Sequence, residues 1–198
     1  MAQPAFRNSN SATIERIVHS ARECFMHKGV RSTRIADIAA GAGMVRQTVY
    51  DSVSGRDEIL DLAMIARARE LADVVRARHL NPRASVTDQI VERLATMIET
   101  VRGDVEFRHL SDAVPPDHAF RLLTGPSALT AVTTDLVAPL FGHARTEGLL
   151  RTDVDIDELA GWVQMVLAPL MVREDLTPPA LRRILRLFIL PALVDQRT

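Results

Sequence analysis

Cysteine is nearly absent from this 198-residue chain: Cys24 stands alone, so no intramolecular disulfide and no cysteine-based metal cluster can form. Aromatics are few, with six Phe, one Tyr and one Trp, leaving Leu, Ile, Val, Ala and Met to fill the core. That mixture suits helices better than sheets. Long apolar runs are missing as well. The most membrane-like stretch, Leu159 to Val172, is interrupted by Gln164 and Pro169 and is too short to span a bilayer. The first ten residues, MAQPAFRNSN, lack the apolar segment of a secretory signal. These absences predict a soluble, cytoplasmic protein without a membrane partner. A phosphate-binding glycine loop, a nucleophile elbow and paired metal ligands are also missing. His109, His118 and His143 are too scattered for a metal site. The run Asp153-Val154-Asp155-Ile156-Asp157 imitates a calcium loop, yet puts Glu158 where glycine is needed and Gln164 where a bidentate glutamate is needed. The expectation is a protein that is not an enzyme, with no metal and no cofactor.

Apolar residues make up 47% of the chain, enough for a sizeable core. The net charge of −1 hides an asymmetry. Residues 1–50 hold seven Lys or Arg against three acids, and residues 51–198 hold seventeen against twenty-two. A basic head on an acidic body suits a protein whose N-terminal part alone meets phosphate, although chance also produces such imbalances.

Helical periodicity runs almost throughout. Ile14, Ile17, Val18, Ala21 and Phe25 form one buried stripe, with Ser11 able to cap its start and Gly29 to end it. Ser32 or Thr33 can cap a short second helix carrying Ile35, Ile38 and Ala39, and a third covers Val45 to about Ser52. Ser54-Gly55-Arg56-Asp57 has the form of a capping box, with Asp standing where Glu is usual. It opens a helix to about His79. Further helices are predicted from Ser85 to Gly103, Asp104 to Ala113, Ser127 to Glu147, Asp155 onward and Thr177 onward, with Pro115-Pro116 as a break. Pro139 and Pro169 should kink their helices, leaving either a cavity or merely awkward packing. The fold class expected is all-α, with about nine helices. It divides into a disordered arm (1–10), a three-helix helix-turn-helix head (11–56) and a helical body (57–198).

The stretch Thr33 to Tyr50, TRIADIAAGAGMVRQTVY, carries the functional reading. Two short helices meeting at a tight angle need a small residue at the crossing, here Ala39, and an unhindered turn, here Gly43. Ile38, Ala42, Met44 and Val49 can seal the joint. The second helix then offers Arg46, Gln47 and Thr48, with Tyr50 and Arg56 nearby. Arg can donate a fork to guanine, Gln can pair with adenine, and Thr can reach a phosphate or a thymine methyl. Thr33 and the start of the second helix are placed for phosphate. The DNA-binding set is therefore Thr33, Arg46, Gln47, Thr48, Tyr50 and Arg56, and the plainer alternative is a solvated face.

These residues resemble the tetracycline-repressor (TetR) family: Thr33-Arg34-Ile35-Ala36-Asp37-Ile38-Ala39, then Ala42-Gly43-Met44, Thr48-Val49-Tyr50 and Arg56-Asp57-Glu58-Ile59-Leu60. The resemblance covers roughly residues 11–62. The chain departs from it at Val45, where the family usually has a polar cap, at Val53, usually phenylalanine, and at Arg56, usually lysine. The resemblance implies a homodimeric repressor, whose third helix reads the major groove of a near-palindromic double-stranded operator and which a small-molecule effector releases. It also implies that the body, 57–198, is the ligand-binding and dimerisation domain, with the last two long helices pairing with their mates. The apolar stripes there independently suggest an interface of Ile156, Leu159, Val163, Leu167, Leu181, Leu185 and Phe188, with a monomeric core as the alternative. Phe107, His109, Leu110, Phe120, Trp162 and Met165 are candidates for an apolar effector pocket or for ordinary core. A competing reading is a helical dimer that binds an apolar ligand or a protein partner without specific DNA binding.

Overall fold

In the computed structural model, residues 4–124, 127–173 and 175–194 are described, with backbone only at 4–9 and 123–124. The described residues contain helices and one isolated antiparallel bridge, Leu150–Val194. No helix among them is long and apolar enough to cross a membrane. In order they are α1 (Pro4–Lys28), α2 (Ile35–Gly41), α3 (Arg46–Ser52), α4 (Arg56–Ala77), α5 (Val86–Arg102), α6 (Val105–Ser111), α7 (Pro116–Thr124), α8 (Ala128–Thr146), α9 (Ile156–Met171) and α10 (Pro178–Ile184). A π-turn (Leu185–Ile189) and α11 (Leu190–Leu193) complete the last helical run.

Most starts and stops follow the chemistry of the sequence. Ser85 accepts from Asp88 N at 3.1 Å and Ser127 from Thr130 N at 3.2 Å, each satisfying an amide with no helical partner. Gly29 and Gly148 end α1 and α8 with positive φ. Four expectations need correction. The arm foreseen over residues 1–10 is already helical from Pro4, and residues 1–3 lie outside the described ones. The acid that closes back on Ser54 is Glu58, not Asp57, because its longer side chain reaches the Ser54 amide. That hydrogen bond holds the Glu58 carboxyl below its usual range. Pro115-Pro116 does not merely break the chain: Pro116 is the first residue of α7, where a missing N–H costs nothing. Finally, the last helix is interrupted. Pro191 cannot donate to the Leu187 carbonyl and would clash with it, and the wider π-turn just before it relieves the conflict.

The chain divides into two compact units. One comprises residues 1–67 together with 105–115, and the other residues 68–104 and 116–198. The division therefore does not fall at residue 56; α4 contributes to both units, and α6 belongs with the head. The first unit is centred on Ile17, Ala21, Phe25, Ile38, Val49 and Ile59, all essentially inaccessible to solvent. The second has a larger core from Ile90, Leu94 and Ile98 of α5, Val137 and Phe141 of α8, and Val163 and Leu167 of α9, closed by Leu181, Leu185 and Leu193. Pro139 and Pro169 sit on exposed sides of helices that continue through them. There the carbonyls they strand can bond to water.

Candidate nucleic-acid interface

The geometry of the head is set by how α1 grips the turn between α2 and α3. The end of α2 closes with two bonds, Gly43 N to Ala40 O at 3.1 Å and Met44 N to Ala39 O at 2.8 Å. This Schellman arrangement needs a left-handed residue, and Gly43 supplies it with φ +63°. Two polar side chains of α1 then clamp the turn. Buried Ser20 donates to Ile38 O at 2.9 Å, and Arg16 Nη2 donates to Ala42 O at 2.6 Å. A cation at these carbonyls also complements the C-terminal end of the α2 dipole. The helices approach closely at Gly41, where a Cβ would lie 2.4 Å from Ser20 Oγ, and Ala39, the small residue expected at the crossing, is buried. Arg16 and Ser20 escaped the sequence reading. Their signal is weak because a serine or arginine on a helix face usually points to solvent.

The start of α2 is held by charge. Asp37 Oδ2 accepts from Arg34 N at 2.9 Å, while its other oxygen meets Lys28 Nζ at 2.7 Å. The lysine, then the Arg34 amide, hold the Asp37 carboxyl below its ordinary range. Neither Ser32 nor Thr33 is the cap; Arg34 occupies that position.

With the turn fixed, α3 presents one face outward. Val49 is fully buried and Val53 nearly so, and these two anchor the helix. Arg46, Gln47 and Tyr50 are exposed on its other side, and Thr48 is half-buried. Gln47 Nε2 donates to Asp51 Oδ1 at 2.7 Å. Val45, at the cap position of α3, makes no side-chain cap and is 68% exposed.

Two predicted DNA contacts have other roles. Thr33 is buried, and its single hydroxyl proton is shared between Gly29 O at 2.9 Å and Cys24 O at 3.2 Å. It closes the loop after α1 and is not presented to a phosphate. Arg56 is half-buried and donates to the Val30 carbonyl, tying the start of α4 to the same loop. Exposed Arg31 and Arg34 supply cationic surface that the sequence reading did not single out.

The other two predicted groups are also rearranged. Phe107, His109 and Leu110 belong to the head unit, whereas Phe120, Trp162 and Met165 belong to the other. Phe120 is 67% exposed and Met165 is exposed as well, so neither walls an enclosed pocket. His109 instead lines an open cleft of about 380 Å³ within the head unit, with Phe25, Val30, Arg31, Ser32 and Asp112 among its walls. Glu106 of α6 receives the fork of Arg22 at 2.5 and 2.9 Å and a second guanidinium, Arg67, at 3.4 Å. Of the predicted interface, Leu159, Val163, Leu167, Leu181 and Leu185 lie inside the core of their own chain. Ile156 is half-buried and Phe188 alone is well exposed. The outward apolar residues of α9 and the final helix are Met165, Val172, Leu187 and Phe188.

A three-helix head with a glycine turn, a clamped joint and a polar outward face on its third helix defines a helix-turn-helix protein. Residues 17–63 match the family of bacterial regulatory proteins known as the tetR family. The HTH-type transcriptional repressor KstR2 of Mycobacterium tuberculosis is 24% identical over 146 residues, 71% of this chain and 70% of KstR2. The transcriptional repressor QsdR of R. erythropolis, also of the TetR family, superposes with a TM-score of 0.68 at 16% identity, over 95% of this chain and 98% of QsdR. RolR, solved in complex with resorcinol, gives 0.65 at 16% identity, over 96% and 91% of the two chains. The tetR-family match of the head, together with the repressor relative, supports a TetR-family transcriptional regulator, and the chain shares the fold of the solved TetR-family repressor over nearly its whole length.

Proposed function

We propose that the protein is a homodimeric, sequence-specific DNA-binding repressor, released from a near-palindromic operator by a small-molecule effector. The observation that carries this reading is the outward face of α3. Arg46, Gln47 and Tyr50 are exposed together, beside a turn held by two side chains of α1. A recognition helix must be firmly aimed to read base edges, and the two bonds from α1 to the turn support such an aim for α3. Arg46 is the candidate for guanine, Gln47 for adenine, and Arg31 and Arg34 add phosphate attraction.

Dimerisation is assigned to the apolar residues that the core leaves outside, Met165 of α9, Val172 just after it, and Leu187 and Phe188 of the last helical run, in place of the buried stripe. Exposed apolar surface of this kind favours burial against a second copy, which would set two recognition helices about one DNA turn apart. An effector agrees with the structural neighbour solved with resorcinol. The reading is of a binding protein and not an enzyme.

Fluorescence anisotropy of the full chain on DNA from beside its own gene, with unrelated DNA competing and salt varied, tests the proposal. Saturable binding that survives competitor at two chains per site is expected. Equal binding to every duplex that vanishes with salt would mean phosphate attraction alone and would overturn it.

A further inference from the structure

Two features of the α3 face are costly unless something meets them. Val45 leaves the cap position without a polar side chain and exposes an apolar one. Asp51 puts a negative charge on a surface otherwise suited to a polyanion, and it engages Gln47. A carboxylate only accepts hydrogen bonds, so the 2.7 Å contact must use the Gln47 amide nitrogen. The carbonyl oxygen of Gln47 then faces away from Asp51, and the second amide hydrogen stays open. An acceptor beside a donor matches the N6 amino group and N7 of adenine in the major groove. Valine at the head of the same helix matches the other half of an A·T pair, whose thymine carries the only methyl group in that groove.

We propose that Val45 and Gln47 make this chain select A·T pairs: Val45 by packing on a thymine methyl, and Gln47, held in register by Asp51, by pairing with adenine. The inference rests on the DNA-binding reading above and adds to it the base identity that α3 reads. Asp51 is a positioning residue, since it acts through Gln47 and its own charge opposes DNA.

The test begins with selection of duplexes by the full chain from a random-sequence library. A duplex from that selection is then resynthesised with deoxyuridine replacing thymidine, which removes only the methyl groups. The wild-type chain should bind the deoxyuridine duplex about fourfold more weakly for each contacted methyl, the factor expected for one buried carbon, and so about sixteenfold with both heads of a dimer engaged. Val45→Ser should bind the two duplexes equally, and because serine caps a helix well, this variant should stay folded. Asp51→Ala should bind all duplexes more tightly as a charge is removed, yet lose most of an approximately tenfold preference for A·T over G·C at the position read by Gln47. Equal wild-type binding to thymidine and deoxyuridine duplexes would overturn the role of Val45. An Asp51→Ala variant that kept its full A·T preference would overturn the role given to Asp51 and Gln47. Selection that enriched no sequence would instead remove the DNA-binding reading itself, and this inference with it.

Discussion

The head and the second unit differ in where their side chains grip the main chain. In the head, side chains of α1 reach main-chain carbonyls of the turn: Ser20 to Ile38, Arg16 to Ala42, and nearby Thr33 to Gly29. Such contacts fix a backbone shape. The second unit has the larger apolar core and ion pairs between helices, and its own main-chain clasps, Arg102 to Leu170 O and Arg145 to Val154 O, hold helix ends and the loops beside them. Arg182 bonds Glu92 at 2.8 Å and Glu99 at 2.6 Å, and Arg186 bonds Asp88. Those carboxylates keep the Arg182 guanidinium charged well beyond its ordinary range. In the head the clasps fix the turn that carries α3, whereas in the second unit they fix the ends of helices packed on a core. A site that must aim three or four side chains needs the first kind of construction.

This contrast can be broken most forcefully from the packing side. Phe141→Ala should cost about 3–5 kcal/mol, because its ring is completely buried and the core around it can relax only partly. Chemical denaturation should show the loss. The heads, where they remain folded, should keep the spectroscopic signature of α1 to α3. Next in size, Gly43→Ala places a Cβ on a residue at φ +63° and should cost about 1–2 kcal/mol. Because the turn aims α3, DNA affinity should fall further than this stability loss alone explains. That excess would mark the head as a geometric device.

Thr33→Val sharpens the comparison from another side. The methyl replaces a hydroxyl buried against two carbonyls, so about 1 kcal/mol of head stability should disappear. DNA affinity of the folded protein should not change. A specific loss of affinity would restore the phosphate contact that the sequence suggested.

Why the sequence led to Thr33, and away from Arg16, has a physical reason. A threonine before a helix serves equally as cap, phosphate ligand or loop clasp, and only its surroundings decide. The turn itself was legible because few residues tolerate its backbone: Gly43, flanked by Ala42 and Met44, could be placed from spacing alone. The apolar stripe Ile17, Val18, Ala21 and Phe25 was legible for the same reason that it is buried. In the second unit, legibility ended at helix existence. Leu159, Val163 and Leu167 are apolar whether they face their own core or a second copy, and periodicity does not say which. The exposed alternatives, Met165 and Val172, lie on the same helical run or just beyond it, on another side. Pocket residues were hardest, since Phe120 and Leu110 have the same composition signature but opposite exposure.

The smallest effect concerns acid. Asp37 and Glu58 in the head and Asp88 in the second unit have carboxyls held below their ordinary range, by Lys28, by the Ser54 amide and by the Ser85 hydroxyl respectively. Their contribution is present at neutral pH. It is lost as pH falls below about 4, where the unfolded carboxyls take up protons more readily than the folded ones. Thermal midpoints should therefore decline on acidification, and added salt should flatten the decline for these exposed groups.

The central claim is that the outward face of α3 reads DNA. Anisotropy with a duplex selected by the wild-type chain, comparing that chain with Arg46→Ala at constant salt and competitor, tests it most directly. A loss of at least about tenfold is expected, the scale of one bidentate base contact, with helicity and assembly state unchanged. Unaltered affinity in a folded Arg46→Ala variant would contradict the account.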